Sequence, residues 1–231
     1  MSSWPKWIVG TVALLAALFV CLIYGLYWYG ASALPAELPT AQRAYPPEVR
    51  QAYWRSESGR EPIEIERMDP LKLVWRVFVL TRDEHIPKPT AEERVLTHAS
   101  RLATIRRTDH ISMMRHHLAS VASWIRFSNE RTPEQIIDLL LEQSAFGRDA
   151  FGYDAAAEAY FGLPAQRLTR AEQLALFTVM GNPSINDPDR HPDRFRRHYL
   201  RIAERSGVDT STIDFERDLA RLKPASKPAA P

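Results

Sequence analysis

The side chains with the most chemical potential in this 231-residue chain are a set of histidines, a set of arginines and a run of acids. His110, His116 and His117 are close enough in sequence to suggest a metal-ligand set. On a helix, however, His116 and His117 point about 100° apart, and His110 and His117, on one face, are two turns distant. No cysteine or close-set acid completes a four-ligand shell, so the pattern predicts a polar helix face, with no metal and no cofactor. Arg106, Arg107, Arg115 and Arg126 have the charge to hold a pyrophosphate or an anionic headgroup; beside a bilayer each adds roughly 1 kcal/mol of attraction. Glu57, Glu61, Glu64 and Glu66 supply carboxylates. A general base needs a partner that orients it or raises its pKa. Read alone, Glu57 has none and is expected at a solvent-facing helix end.

The element best defined by composition is Trp7 to Tyr29, which carries no charge and is long enough to cross a bilayer core of about 30 Å as a helix. Trp4 and Trp7 flank one end and Tyr27, Trp28 and Tyr29 the other, in the manner of interfacial aromatic belts. Ala31-Ser32-Ala33 has the small residues of a signal-peptide cleavage site, but the apolar run is longer than the ~7–15 residues of a signal core. The run therefore predicts an uncleaved anchor. Lys6 favours a cytoplasmic amino terminus, which places the rest outside the plasma membrane, on the periplasmic side of the inner membrane in a two-membrane cell.

Composition, 45% hydrophobic and 25% charged with a formal net charge of +2, suits one globular domain plus appendages. Without a Lys/Arg-rich stripe it excludes nucleic acid as the expected partner. The single cysteine, Cys21, forbids an intrachain disulfide. Segmentation gives an anchor over 1–30, a proline-broken linker over 31–44, a domain over 45–205, a C-terminal helix over 206–222 and a disordered tail over 223–231.

The domain reads as mostly α. A helix opens near Pro47, and 71–80 is strongly apolar with no period that decides helix or strand. Residues 81–90 read as a polar loop and 91–107 as an amphipathic helix. A third helix is expected from Thr108 or Asp109, with Ile111, Met114, Leu118, Val121 and Ile125 on one face. Thr132 with Gln135 and Thr169 with Glu172 form capping boxes, and Pro133 sits at a first helical position. Gly181-Asn182-Pro183 ends the second of these helices. No alternating strand run is visible.

The most specific stretch is Thr132 to Gly162, TPEQIIDLLLEQSAFGRDAFGYDAAAEAYFG. Ile136-Ile137, Leu141, Gly147, Gly152, Ala156-Ala157, Tyr160 and Phe161 fall in the order of the distal half of the family-51 glycosyltransferase domain, which this chain resembles. That family polymerises lipid II, and its monofunctional members carry one short anchor. The resemblance implies a lysozyme-like, mostly helical transglycosylase domain and a helix for 71–80. It also implies lipid II or a glycan strand, the membrane and other cell-wall synthesis proteins as partners.

The family uses a Glu within Glu-Asp-x-x-Phe-x-x-His-x-Gly as its base, a Gly-Gly-Ser-Thr-Ile-Thr-Gln-Gln loop, and a second Glu after an Arg-Lys pair. Alignment through Tyr45–Ala52 and Asp69-Pro70 puts Glu57 at the base position, with Ser58 in place of the Asp. The loop is absent, the second Glu is His117, and the pair is Met113-Met114. Arg115, His117 and Arg126 are then the substrate-binding candidates and Glu57 the catalytic one. The expected function is a degenerate relative that binds lipid II or glycan, or scaffolds cell-wall synthesis. The alternatives are an active glycosyltransferase using Glu57, which is harder to defend where Glu57 lies outside a cleft lined by Arg115 or His117, and a membrane-anchored adaptor without glycan contact.

Overall fold

A computed structural model describes residues 6–80, 88–104 and 112–225 of the chain. The architecture is mostly helical. The apolar N-terminal run forms one long helix, α1 (Lys6–Ala31), of which only 6% is buried inside the structure over its most apolar window. It is followed by α2 (Pro47–Ser56), α3 (Pro70–Leu80), α4 (Ala91–Thr104), α5 (Met113–Glu130) and α6 (Pro133–Gln143). After these come α7 (Tyr153–Phe161), α8 (Arg170–Met180), α9 (Pro183–Asn186), α10 (Pro192–Arg205) and α11 (Phe215–Asp218).

Both capping boxes form: Thr132 and Gln135 close the start of α6, and Thr169 and Glu172 the start of α8. Behind α6, Ile136, Ile137 and Leu140 are fully buried with Phe127, Phe146 and Tyr153. α8 is the central helix; every residue from Leu174 to Met180 is buried. Phe177 on α8 meets Tyr53 edge-on at 5.5 Å and stacks on Tyr153 at 5.7 Å, which joins α2, α7 and α8 through one aromatic cluster.

Three expectations change. A two-stranded hairpin, β1 (Ala145–Gly147) and β2 (Ala150–Phe151), lies between α6 and α7. Its turn residues Arg148 and Asp149 both take positive φ, 51° and 57°, the pattern of a type I′ turn, so the glycines bracket the turn instead of filling it. The third helix is capped by Ser112 and starts at Met113; the expected starts at Thr108 or Asp109 lie outside the described residues. Its buried face is Ala119, Ala122, Ser123, Ile125 and Phe127, whereas Met114 and Val121 are exposed. Small residues win that face because α4 and α1 approach closely: Ser123 Oγ bonds Ser100 Oγ at 2.6 Å, and Gly30 of α1 sits against the Leu118 backbone. Of the expected tail over 223–231, residues 226–231 lie outside the described residues. Lys223 N–H donates to Tyr160 O at 2.7 Å, and Arg148 donates to Lys223 O, because chain past α11 supplies partners for carbonyls and charges at the end of α7. Of the expected 81–90 loop, 81–87 lies outside the described residues, as do 105–107 of the next helix.

α3 presents an unusual surface for a folded domain. Val74, Trp75, Val77, Phe78 and Val79 are all exposed, and the helix packs beside α1. Met113 and Met114 at the start of α5, which also packs on α1, are exposed too.

Candidate functional site

Glu57 stands at the C-cap of α2. The helix ends in a Schellman turn: Gly59 N–H donates to Trp54 O and Ser58 N–H to Arg55 O, both at 2.9 Å. Ser58 takes the left-handed position, at φ 70°, where glycine is the usual residue. Trp54 Nε1–H donates to Arg60 O at 2.8 Å and fixes the exit of the chain.

The Glu57 side chain is 13% exposed and faces three other elements of chemistry. Arg94 of α4 brings Nε to 4.0 Å from Oε2, and Arg205 at the end of α10 adds a second cation. Tyr53, one turn earlier on α2, is 1% exposed and its hydroxyl lies 3.1 Å from Nδ1 of His98 on α4. Burial raises the Glu57 pKa, and the two arginines pull against that rise. Burial, and then the Glu57 charge, holds the Tyr53 phenol well above its ordinary value. Burial, then Arg101 and Arg94, pushes His98 down to about 4.

Glu57 is therefore withdrawn from water, contrary to the solvent-facing position that its sequence context suggests. The reason is long-range: α4 and α10 close over the end of α2. Sequence reasoning missed Tyr53, Arg94, His98 and Arg205. Tyr53/Glu57 and Arg94/His98 are each i,i+4 pairs, but that spacing within one helix does not reveal that the two helices meet.

The three binding candidates on α5 lie elsewhere. Arg115 donates to Ser32 Oγ at 3.1 Å and sits over the Tyr29 ring, 5.2 Å from its centroid. Arg126 donates to Pro35 O and Ala36 O at 2.7 and 2.8 Å, and pairs with Glu130. His117 is exposed, its ring 6.1 Å from that of His116. Among the described residues, none of the three has a hydrogen bond or ion pair with Glu57, so the niche assembled around Glu57 uses Arg94 and Arg205 instead. Arg106, Arg107 and His110 lie outside the described residues. A cavity of about 370 Å³ opens across α2 and α8, lined by Glu48, Gln51, Arg55, Arg170, Gln173 and Ser206 among others, without Glu57.

The glycines of the hairpin serve backbone geometry, at φ 78° for Gly147 and 85° for Gly152. Tyr160 and Phe161 are core, 1% and 4% exposed; Tyr160 also donates to Phe146 O at 2.8 Å.

Residues 101–206 match the transglycosylase family model. The chain is 36% identical to penicillin-binding protein 1A of Rickettsia felis over 95 residues, 40% of this chain and 12% of that protein. It is 35% identical to penicillin-binding protein 1A of Mycobacterium tuberculosis over 103 residues, 45% of this chain and 12% of that one. It is 32% identical to a biosynthetic peptidoglycan transglycosylase of Burkholderia thailandensis over 75 residues, 32% and 29% of the two chains. The chain thus spans less than a third of the length of each of these relatives. The fold is a mostly helical chain with one long apolar N-terminal helix, and its stretch 101–206 is similar to the transglycosylase family. The family match includes Arg205 and leaves Glu57, Arg94 and His98 upstream of its first residue.

The niche makes a pH prediction. In the unfolded chain His98 titrates near 6.5, and in the folded protein near 4, so as pH falls the unfolded state takes up the proton first. The stability that neutral His98 preserves is complete above about pH 6.5 and declines as pH falls toward 4. At pH 4.5 the loss from this group is about 2–3 kcal/mol. Urea titrations at pH 7.5 and 4.5 are expected to show a smaller acid loss for His98→Gln than for the unsubstituted chain.

Proposed function

We propose that this chain is a membrane-anchored transglycosylase-type component of peptidoglycan synthesis, working at the extracytoplasmic face of the plasma membrane. It engages lipid II or nascent glycan through the Glu57 niche without polymerising it. The observation that carries this reading is that the niche holds one carboxylate whose charged neighbours are both arginines. The position where the family places its second carboxylate is His117, on a different face of the domain. Deprotonating an attacking hydroxyl and stabilising a departing pyrophosphate are separate demands. Arg94 and Arg205 suit an anionic ligand, while the lone carboxylate beside them lacks the family's partner acid.

Two features support the anchor over a cleaved leader. Ala31, Ser32 and Ala33 are used in packing and hydrogen bonding against α5, with Leu34 buried on Ala119 and Ala122. The exposed apolar face of α3 also lies beside α1, where lipid would cover it.

A second reading, an active glycosyltransferase with Glu57 as base, is favoured by one observation: Glu57 is desolvated and its pKa is raised, as general bases often are. Purified full-length chain incubated with lipid II separates the two. Saturable binding with no polymer, weakened severalfold or more by Glu57→Gln, is the expected result. Glycan polymer that disappears in Glu57→Gln would establish the second reading. Absence of both polymer and binding would indicate an adaptor that does not contact glycan.

A further inference from the structure

We infer that Arg94 is the positioning residue for Glu57, holding the turn that carries it and setting a positive charge beside its carboxylate. The inference rests on the reading of Glu57 as the functional carboxylate. The Schellman turn satisfies the carbonyls of Trp54 and Arg55 within the chain and leaves the Glu57 carbonyl, at the C-cap, without a helical donor. Arg94 supplies it: Nη1 donates to Glu57 O at 2.5 Å and reaches Ser58 Oγ at 3.4 Å.

The same guanidinium turns its Nε toward Glu57 Oε2. Nη1 therefore bonds the backbone while the guanidinium charge stands 4.0 Å from the carboxylate of the same residue, a combination of directed N–H and spread charge that suits arginine better than lysine, whose ammonium is a point charge. Arg94 is itself held, 18% exposed, on a helix anchored by the buried Ala91, Val95 and Ala99. The need for such a lock is visible in Ser58. A non-glycine residue in the left-handed region persists where its surroundings over-determine it, and Arg94 touches the residues on both sides of the Glu57–Ser58 peptide.

The charged and titratable groups facing the carboxylate are Tyr53 from its own helix, Arg94 from α4 and Arg205 from α10. Arg205 is exposed and bonds neither the Glu57 carboxylate nor its backbone. It therefore serves as a control for charge without positioning.

The experiment is a carbon-13 titration of the Glu57 side-chain carboxyl in the full chain in nanodiscs, assigned by its loss in Glu57→Gln. Arg94→Gln is expected to raise the midpoint by about one pH unit or more, and Arg205→Gln by clearly less. Arg94→Lys is expected to restore most of the midpoint while the Glu57 and Ser58 resonances are doubled or broadened, because charge returns and the paired bonds to Glu57 O and Ser58 Oγ do not. An unchanged midpoint in folded Arg94→Gln would overturn the inference, as would an equal shift in Arg205→Gln or sharp native resonances in Arg94→Lys. If Arg94→Gln does not fold, the Arg94→Lys resonances and the Arg205→Gln midpoint decide alone. Lipid II binding measured on the same samples keeps the two readings apart. A midpoint that moves with Arg94 in a chain that binds no lipid II would leave the positioning role standing and remove the functional one.

Discussion

Asp138→Ala is expected to destabilise the domain by about 3–5 kcal/mol, the largest loss from any single side chain considered. Asp138 is 5% exposed on α6 and receives Arg50 of α2 through a two-pronged contact, Nε to Oδ1 and Nη2 to Oδ2, both at 2.7 Å. It also accepts the Tyr45 backbone N–H at 3.0 Å. Removing the carboxylate strands a guanidinium only 16% exposed and orphans a buried N–H in one step. The loss is read as a fall in the urea midpoint with unchanged slope. Asp138→Asn, which keeps an acceptor for Tyr45, is expected to lose less. Replacing Arg50 and Asp138 together by apolar residues of similar volume is expected to recover much of the loss, since the penalty lies in the unpaired charge. Because Arg50 and Glu57 share α2, the single variant is also expected to weaken any ligand binding that depends on Glu57.

Gly152→Ala is expected to be the second severe change. Gly152 takes φ 85° and ψ 156°, a region used almost only by glycine, and that backbone strain alone costs about 1–3 kcal/mol for another residue. A Cβ there would also stand 2.6 Å from the Glu142 carbonyl oxygen, part of a rigid helix end that cannot withdraw. Gly181 is the internal control: its φ is −66° and a Cβ would meet nothing within 4 Å. Gly181→Ala is expected to be neutral or to stabilise by up to about 1 kcal/mol. Thermal melts of the two alanine variants, side by side, measure the difference.

The helix starts were legible in the sequence because their signals are local. Thr132 with Gln135, and Thr169 with Glu172, form within one turn and need nothing from the rest of the chain. The hairpin was not legible, because its strands are two and three residues long and its turn is Arg148-Asp149, without the glycine that usually marks a type I′ turn. The face of α5 was misread for another reason. Met114 and Val121 are its conspicuous apolar positions, but close helix approach favoured Ala119, Ala122 and Ser123, and hydrophobicity alone does not reveal which face will be approached closely. Of the candidate site, only Glu57 could be nominated in advance, and only through family resemblance. Its surroundings come from α4 and α10, and no spacing rule within α2 foretells a guanidinium from α4.

The segment between α1 and α2 has a consequence for reach. A free tether of the 15 residues 32–46 would let its cargo wander on the order of 20 Å from its attachment point. Here the backbone is tied down along its length: Arg126 holds the carbonyls of Pro35 and Ala36, Arg131 that of Leu38, and Gln143 that of Thr40. With α1 in the bilayer as proposed, the domain rides at one fixed height and in one orientation. Its reach would then be set by the dimensions of the domain and not by the length of the linker.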